Sequence, residues 1–256
     1  MTTYTERFTG RAADYAQYRE RYEAGVVLPL LRNWCGLTPE WLVADVGAGT
    51  GMVGDLFRVN GNPVVAIEPN VEMRAACAAL HADDALFKVV DGAAETIGLP
   101  DASVEMIAVG RALHWFDAGA AFREFRRILK PQGWVTILAG GRSEDGREEN
   151  VAYRQFLHTA TGRDFHRDPL LAVYRQLDSL FIGGRLFHAE VPGEMHLGWD
   201  ELRGLTLSLS NTPMSDSAAF PVFEADLRSY FDGYQQNGRV TMATRTWVNA
   251  GQFARQ

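Results

Sequence analysis

The chain has 256 residues, of which 46% are hydrophobic and 22% charged, and its formal net charge is -7 at pH 7. This length suffices for one large α/β domain or two small ones, and the composition excludes a disordered or fibrous protein. The acidic balance disfavours binding of nucleic acid through its phosphate backbone, which needs a clustered basic surface. We therefore expect a small-molecule partner and no nucleic acid.

The N-terminus and the cysteines indicate a cytoplasmic protein. The opening residues MTTYTERFTGRAADY lack the apolar segment of a signal peptide. No apolar run approaches the roughly 20 residues that a membrane helix needs, so no membrane association is expected. Cys35 and Cys77 have no paired spacing, so the sequence predicts neither a disulfide framework nor a bound metal.

Five apolar runs in the first half of the chain predict strands buried on both faces. They are WLVADV from 41, VVAIE from 64, LFKVV from 86, VEMIAV from 104 and WVTIL from 134. Helix-compatible segments separate them, with Asn70 and Asp117 as predicted N-caps. This alternation predicts an α/β fold with a doubly wound, mostly parallel sheet, whose ligands bind beyond the carboxyl ends of the strands.

Beyond residue 139 the regular alternation stops. Helical segments follow the polar loop 140–150, and alternating apolar residues predict late strands near 185–197 and 238–248. We interpret residues 1–256 as a single domain. Its core would comprise about residues 1–140 and the late strands, and a helical cap would be inserted from about 141–184 and 198–236.

The segment DVGAGTG, residues 45–51, follows the first predicted strand and opens a helix, and its glycine loop begins after Asp45. Gly47, Gly49 and Gly51 let the backbone turn sharply and approach a ligand closely. The loop departs from the Gly-x-Gly-x-x-Gly pattern of dinucleotide-binding folds, because Met52 stands where the third glycine would fall.

Acidic residues follow the next two strands. Glu68 ends the second strand, where a carboxylate accepts hydrogen bonds from both ribose hydroxyls of an adenosine. Asp91 follows the third strand, where its carboxylate can bind an adenine amino group. Together with the glycine loop, these residues predict an adenosine site, which suits NAD as well as any other adenosyl ligand.

In order and spacing, residues 40–140 resemble the class I S-adenosylmethionine-dependent methyltransferases, specifically the small-molecule branch with the type 11 methyltransferase domain. DVGAGTG resembles the first motif of that family, AIEPNVEM its ribose-binding motif, and RILKPQGWVTIL its turn into the fifth strand. The resemblance implies a seven-stranded, Rossmann-like sheet with helices on both faces. It also implies S-adenosyl-L-methionine as cofactor and S-adenosyl-L-homocysteine as product.

The resemblance further assigns the cofactor contacts, from the methionine end to the adenine end. The methionine part would meet Asp45 and the loop of Gly47, Ala48, Gly49, Thr50 and Gly51, and the ribose would meet Glu68. The adenine face would meet Pro69 and Met73, and the adenine edge would meet Asp91, Gly92 and Ala93. Gly110, Arg111 and Ala112 would pass close to the sulfonium.

The segment FTGRAADYAQYRERY at residues 8–22 resembles the N-terminal lid of one branch of these enzymes. Phe8, Tyr15 and Arg19 stand at the expected places, whereas Glu20 replaces a customary proline. The implied roles are that Tyr15 closes over the cofactor and Arg19 meets a carboxylate of the methionine or the acceptor. The alternative is an amphipathic surface helix with solvated arginines.

The segment VGRALHWFD after the fourth strand supplies the candidate catalytic residue, His114. Methyl transfer is an in-line displacement that requires alignment and exclusion of water. A carboxylate acceptor needs only positioning, whereas a hydroxyl must lose a proton, for which a histidine can serve. His114 would act as base or as a contact that aligns the acceptor, and Trp115 would form a pocket wall. Alternatively, the aromatic pair packs on the next helix and His114 donates to a backbone carbonyl.

The predicted function is S-adenosylmethionine-dependent methyl transfer to a small-molecule acceptor, through a carboxylate or hydroxyl oxygen. Arg19, Arg111 and the cap segment 208–216 suggest a carboxylate-bearing acceptor. One alternative is an NAD(P)-dependent oxidoreductase, although neither Lys88 nor Lys130 has a tyrosine four residues before it. Another is a non-catalytic S-adenosylmethionine-binding protein. DNA amine methylation is disfavoured, since the residues after the fourth strand lack the proline-rich tetrapeptide of those enzymes.

Overall fold

The computed structural model describes residues 9–143, 146–162, 173–174 and 176–254. Within these residues the strands are β1 Val43–Val46, β2 Val64–Ile67, β3 Phe87–Val90, β4 Val104–Val109, β5 Leu129–Arg142, β6 Arg185–Leu197 and β7 Val240–Gln252. The helices are α1 Ala12–Tyr18, α2 Ala24–Cys35, α3 Met52–Val59, α4 Val71–Leu80, α5 Ala118–Ile128, α6 Glu148–Thr161, α7 Leu177–Leu180, α8 Trp199–Leu207 and α9 Phe220–Tyr234.

The strands described form one seven-stranded sheet in the order β3-β2-β1-β4-β5-β7-β6. Strands β1 to β5 pair in parallel, which confirms the predicted doubly wound α/β fold. The strand order reverses at β1, whose two neighbours are β2 and β4. The carboxyl ends of strands beside such a reversal form the crevice in which ligands of these folds bind.

Two compact units divide the chain. Unit 1 comprises residues 1–20, 140–168 and 192–246, and unit 2 comprises residues 21–139, 169–191 and 247–256. Unit 2 contains β1 to β4 and most of the predicted cofactor site. The single-domain organisation with an inserted cap stays a prediction.

Unit 2 buries an apolar layer on each face of its strands. Val43 and Met106 contribute to one layer, and the alternate residues Ala44 and Ile107 contribute to the other. Because both faces are covered, the first and fourth strands are apolar except at Asp45 and Glu105. In unit 1 a separate cluster packs α6, α8 and α9 around residues such as Tyr153, which is fully buried.

Local sequence signals fix the helix starts next to the site. The Asn70 side chain accepts the N–H of Met73 at 2.9 Å, and the Asp117 side chain accepts the N–H of Ala120 at 2.9 Å. Both predicted N-caps are therefore confirmed. No helix in the described part of the chain is long and apolar enough to cross a membrane.

Several element boundaries differ from those predicted. Leu129, expected at the end of a helix, is the first residue of β5, and β7 runs on to Gln252. Of the helical segment expected over 169–181, only Leu177–Leu180 forms an α-helix, while residues 169–172 and 175 lie outside the described part. Helix α2 was not predicted. It contains Pro29, and its buried face of Val27, Leu28 and Leu31 favours the helix despite the proline.

Candidate active site

The register of the sheet aligns the functional motifs at one edge. Val46 of β1 pairs with Ile67 of β2, and Ile67 pairs with Val90 of β3. Asp45 pairs with Ala108 of β4, so β4 continues the same alignment. The next residue on each strand therefore belongs to one row. The row consists of Asp91, Glu68, Gly47 and Gly110, and we call it the strand-end row.

The glycine loop turns tightly against β2 at the centre of this row. The N–H groups of Gly47 and Ala48 both donate to the carbonyl of Ile67, at 2.9 and 3.1 Å. Gly47, Gly49 and Gly51 have φ values of 69°, 58° and 93°, a region that other residues rarely adopt. A Cβ on Gly51 would lie only 2.6 Å from Cε1 of His81, so glycine is also required by packing.

Glu68 links the second strand to the glycine loop. Its Oε2 accepts the N–H of Gly49 at 2.8 Å, and its Oε1 accepts the N–H of Asn70 at 2.8 Å. Burial raises the pKa of Glu68, although these two hydrogen bonds and the charge of Arg74 oppose the rise. A carboxylate offers about four lone-pair sites, so two remain for hydroxyl donors of a ligand.

Asp45 is a fully buried carboxyl group beneath the loop. Its Oδ2 accepts the N–H of Gly54 at 2.9 Å, in the first turn of α3. Burial raises its pKa to about 7 despite this hydrogen bond, and the charges of Glu68 and Asp55 add to the rise. A cationic ligand near Asp45 would favour the ionised form.

Arg74 organises the Asp91 end of the strand-end row and was missed at the sequence level. Its Nη1 donates to the carbonyls of Glu68 and Pro69, at 2.7 and 3.0 Å. The same atom lies 2.9 Å from Oδ1 of Asp91. Arg74 comes one helical turn after the cap residue Asn70, and this spacing is the only signal in the sequence that points to it. Met73, predicted on the adenine face, is buried.

The segment after β4 approaches the glycine loop closely. A Cβ on Gly47 would lie 2.7 Å from Cβ of Ala112, and one on Gly110 would lie 2.7 Å from Cγ2 of Val53. The backbone N–H of Arg111 donates to the Tyr22 hydroxyl at 3.4 Å, and that hydroxyl donates to the carbonyl of Leu138 at 3.2 Å. Tyr22, which the sequence did not single out, thus anchors this segment.

His114 lies in a short 3-10 helix, Leu113–Trp115. Its ring centroid lies 4.4 Å from that of Trp115, and its Nδ1 lies 3.2 Å from the hydroxyl oxygen of Tyr174. Phe116 makes an edge contact with Phe125 of the next helix, at 6.5 Å between centroids. Tyr174 is 60 residues away in the sequence, and no local motif indicated it.

Tyr15 and Arg19 lie in unit 1, Tyr15 within α1 and Arg19 directly after it. The Arg19 guanidinium lies 5.5 Å from the centre of the Tyr15 ring, and its Nη1 donates to Oγ of Ser208 at 3.4 Å. A Cβ on Gly204 of α8 would overlap the Tyr18 ring, at 2.1 Å, so α1 packs tightly on α8. Phe8 lies outside the described residues. The lid role of Tyr15 and Arg19 stays a prediction.

Two buried oxygen atoms test whether the site fits S-adenosylmethionine. Among the described residues, Oδ1 of Asp45 and Oγ1 of Thr50 have no hydrogen-bond partner. Buried polar atoms are nearly always paired, and both belong to positions expected to meet the methionine part. The polar groups of the site therefore fit the cofactor. They are the unpaired oxygens of Asp45 and Thr50 at the loop, the carboxylate of Glu68 for the ribose, and the carboxylate of Asp91 at the edge. In the described part of the chain, no cluster of His, Cys, Asp or Glu has the composition of a metal site.

Comparison with known proteins agrees with this site. A methyltransferase domain model matches residues 44–137, the segment that contains the strand-end row. An uncharacterized methyltransferase of Mycobacterium tuberculosis is 37% identical over 123 residues, which are 48% of this chain and 47% of that protein. Malonyl-[acyl-carrier protein] O-methyltransferase of Yersinia pestis is 30% identical over 149 residues, 53% of this chain and 54% of that protein.

A solved structure extends the similarity of fold over nearly the whole chain. A putative type II methyltransferase from Anaeromyxobacter dehalogenans aligns with a TM-score of 0.67 at 20% identity, covering 93% of this chain and 100% of that one. In sequence, this chain spans about half the length of the mycobacterial relatives that it matches. Residues 44–137 therefore match the methyltransferase domain family, and nearly the whole chain shares the fold of a solved structure described as a putative methyltransferase.

Proposed function

We propose that this protein transfers a methyl group from S-adenosyl-L-methionine to an oxygen of a small-molecule acceptor, a carboxylate or a hydroxyl. The strand-end row carries the proposal, because it brings a glycine loop, a ribose-type carboxylate and an acidic edge to one line. The unpaired buried oxygens of Asp45 and Thr50 support it. The name of the Yersinia pestis relative, an O-methyltransferase, supports oxygen as the methylated atom.

The residues of unit 2 would divide the cofactor between them. Asp45 and the loop 47–51 would bind the methionine part, where a carboxylate attracts the amino group and backbone N–H groups attract the carboxyl group. Glu68 would accept both ribose hydroxyls. Pro69 and Met73 would cover the adenine face, and the segment 91–93 would meet its edge.

The segment after β4 would meet the reacting atoms. When bound, the cofactor supplies a methyl group attached to a positively charged sulfur. Gly110, Arg111 and Ala112 would line this region, with Gly110 permitting close approach because it has no side chain. His114 and Trp115 would align the acceptor and exclude water from it. Tyr15 and Arg19 are proposed as lid residues. We also propose that the protein binds neither nucleic acid nor a membrane.

Isothermal titration separates this function from an NAD(P)-dependent oxidoreductase. We expect S-adenosyl-L-homocysteine to bind and NAD and NADP not to bind. Binding of a nicotinamide nucleotide without binding of S-adenosyl-L-homocysteine would reject the proposal.

A second measurement separates an enzyme from a non-catalytic binding protein. Purified protein is incubated with S-adenosylmethionine labelled in the methyl group and with a panel of small acids, alcohols and phenols. We expect label to appear in at least one acid or hydroxyl compound. Cofactor binding without transfer to any member would favour the non-catalytic protein.

A further inference from the structure

A cavity of unit 2 lies at the edge of the sheet opposite the strand-end row. Its walls include Trp41, which precedes β1, Glu105 at the start of β4 and Lys130 at the start of β5. Because β1, β4 and β5 pair in parallel, the starts of these strands lie at one edge and their ends at the other. We call this space the strand-start cavity, and it is separate from the predicted cofactor site.

Three tryptophans give the strand-start cavity broad apolar walls. Trp34, Trp41 and Trp134 all line it, and its volume of about 610 Å³ lies in the range of small-molecule sites. Phe187 packs against two of them. Its ring centroid lies 5.6 Å from that of Trp34, with the rings nearly parallel at 11°, and 5.9 Å from that of Trp134. Flat indole walls held in this way favour a planar aromatic ligand.

A buried tryptophan of the wall has an unused hydrogen-bond donor. Trp134 is only 4% exposed, and in the part of the chain that the structure describes its indole N–H has no hydrogen-bond partner. Buried indole N–H groups usually have one. This N–H still reaches solvent, and the small exposed part of Trp134 belongs to the cavity wall. An acceptor atom of a bound ligand would therefore complete its hydrogen bonding.

The charged residues of the wall leave one positive charge. Glu105 is fully engaged, because Oε1 accepts from Nζ of Lys130 and Oε2 accepts the N–H of Leu42 at 2.8 Å. Cys35, also in the wall, stays a neutral thiol, since burial raises its pKa. Arg185 begins β6 and is exposed, and among the described residues its guanidinium has no ion-pair or hydrogen-bond partner. An anionic group in the cavity would therefore find its counter-ion at Arg185.

We propose that the strand-start cavity is a binding site for a small aromatic carboxylic acid. The tryptophan walls take the aromatic ring, and the guanidinium of Arg185 takes the carboxylate, for which its planar fork of N–H groups is suited. An aliphatic acid lacks the first contact, and a neutral aromatic amide lacks the second. This site goes beyond the proposed methyl transfer and needs no cofactor.

Isothermal titration of the ligand-free protein with 2-naphthoate tests the chemistry of the site. We expect 2-naphthoate to bind, and both 2-naphthamide and cyclohexanecarboxylate to bind at least about tenfold more weakly. Arg185→Gln should weaken binding of 2-naphthoate by about tenfold. Arg123→Gln removes another exposed arginine of unit 2, from α5, and should leave the affinity unchanged.

Nuclear magnetic resonance locates the bound acid. The tryptophan side chains are labelled with ¹⁵N, and the indole N–H signals are assigned by their loss in Trp34→Phe, Trp115→Phe, Trp134→Phe and Trp199→Phe. On addition of 2-naphthoate we expect the signals of Trp34 and Trp134 to shift. The signal of Trp199, in unit 1, should stay in place.

Absence of binding would overturn the inference, as would equal affinities for 2-naphthoate and its amide or an undiminished affinity in Arg185→Gln. A shift of the Trp115 signal alone would put the acid at the candidate active site and would also overturn it. These measurements contain no cofactor. Failure of S-adenosyl-L-homocysteine to bind would instead reject the proposed function, and the two failures are thus told apart.

Discussion

Glu68 and Gly49 join the second strand to the glycine loop, since Oε2 of Glu68 accepts the N–H of Gly49 at 2.8 Å. The other oxygen of the same carboxylate accepts the N–H of Asn70, the cap residue of α4, also at 2.8 Å. One buried carboxylate therefore holds the loop and the start of the helix in place. Its remaining lone pairs are the proposed acceptors for the ribose hydroxyls.

Replacing Glu68 should weaken cofactor binding through both roles. We expect Glu68→Ala to lower the affinity for S-adenosyl-L-homocysteine by about 1 to 3 kcal/mol, from loss of hydrogen bonds to a charged group. Isothermal titration measures the change. Glu72→Ala removes an exposed carboxylate from α4 and should leave the affinity unchanged. Equal affinities of Glu68→Ala and the wild type would reject the ribose assignment.

Gly51 is required by both its backbone angle and its surroundings. Its φ is 93°, and a Cβ would lie 2.6 Å from His81 and 3.0 Å from Sγ of Cys77. We expect Gly51→Ala to lower the free energy of unfolding by about 1 to 3 kcal/mol and to weaken binding of S-adenosyl-L-homocysteine.

Gly25 in α2 provides the matched control, because a Cβ there has nothing within 4 Å. Gly25→Ala should raise stability slightly, by up to about 1 kcal/mol, since alanine favours the helix. Urea unfolding compares the two variants. Equal effects of both substitutions would show that the loop tolerates a side chain at Gly51.

Features that follow from local sequence and from the regular pairing of strands were predictable. Side-chain contacts that depend on packing between distant segments were not. Asp45, the glycine loop, Glu68 and Asp91 each follow an apolar run, and the parallel pairing then aligns them in one row. Tyr174, in contrast, meets His114 across 60 residues, and its approach depends on packing that has no periodic signal. Helix α2 had no prediction, and in the structure the burial of one face outweighs the local effect of Pro29.

The ligand-free protein should lose stability as the pH rises, because the buried Asp45 carboxyl stays protonated in the folded state at pH values where it has already ionised in the unfolded state. Burial raises its pKa to about 7, above the unfolded value of about 3.9. The native state therefore binds more protons than the unfolded state between these values. The resulting stability is complete below about pH 4 and is lost as the pH rises through about 7.

Asp45→Asn removes this ionisation and can still accept the N–H of Gly54. Thermal and urea unfolding without ligand should show the variant more stable than the wild type at pH 8, by about 1 to 3 kcal/mol, and nearly equal to it at pH 4. Its affinity for S-adenosyl-L-homocysteine should nevertheless fall, because the amide carries no charge. Asp83→Asn, at an exposed position, should show neither effect. A wild type that is the more stable protein at pH 8 would contradict the prediction.

His81 should give the region behind the glycine loop a second pH dependence. Its Nε2 lies 2.8 Å from Oδ1 of Asp55, and its Nδ1 lies 2.7 Å from the carbonyl of Cys77. Both partners are acceptors, so only the doubly protonated ring satisfies both. Burial alone would lower the pKa of His81, but its hydrogen bonds to Asp55 and Cys77 and the charges of Asp55 and Asp84 outweigh burial and raise it.

Because the folded pKa of His81 is raised, its contribution to stability is complete below the unfolded value of about 6.5 and is lost as the pH rises through the folded value. Asp55 is partly exposed, so solvent screening limits the effect to about 1 kcal/mol. We expect His81→Gln to be less stable than the wild type at pH 6 by about this amount, with a smaller difference at pH 9. A difference in thermal unfolding that grows with pH would mean that the neutral ring is the stabilising form.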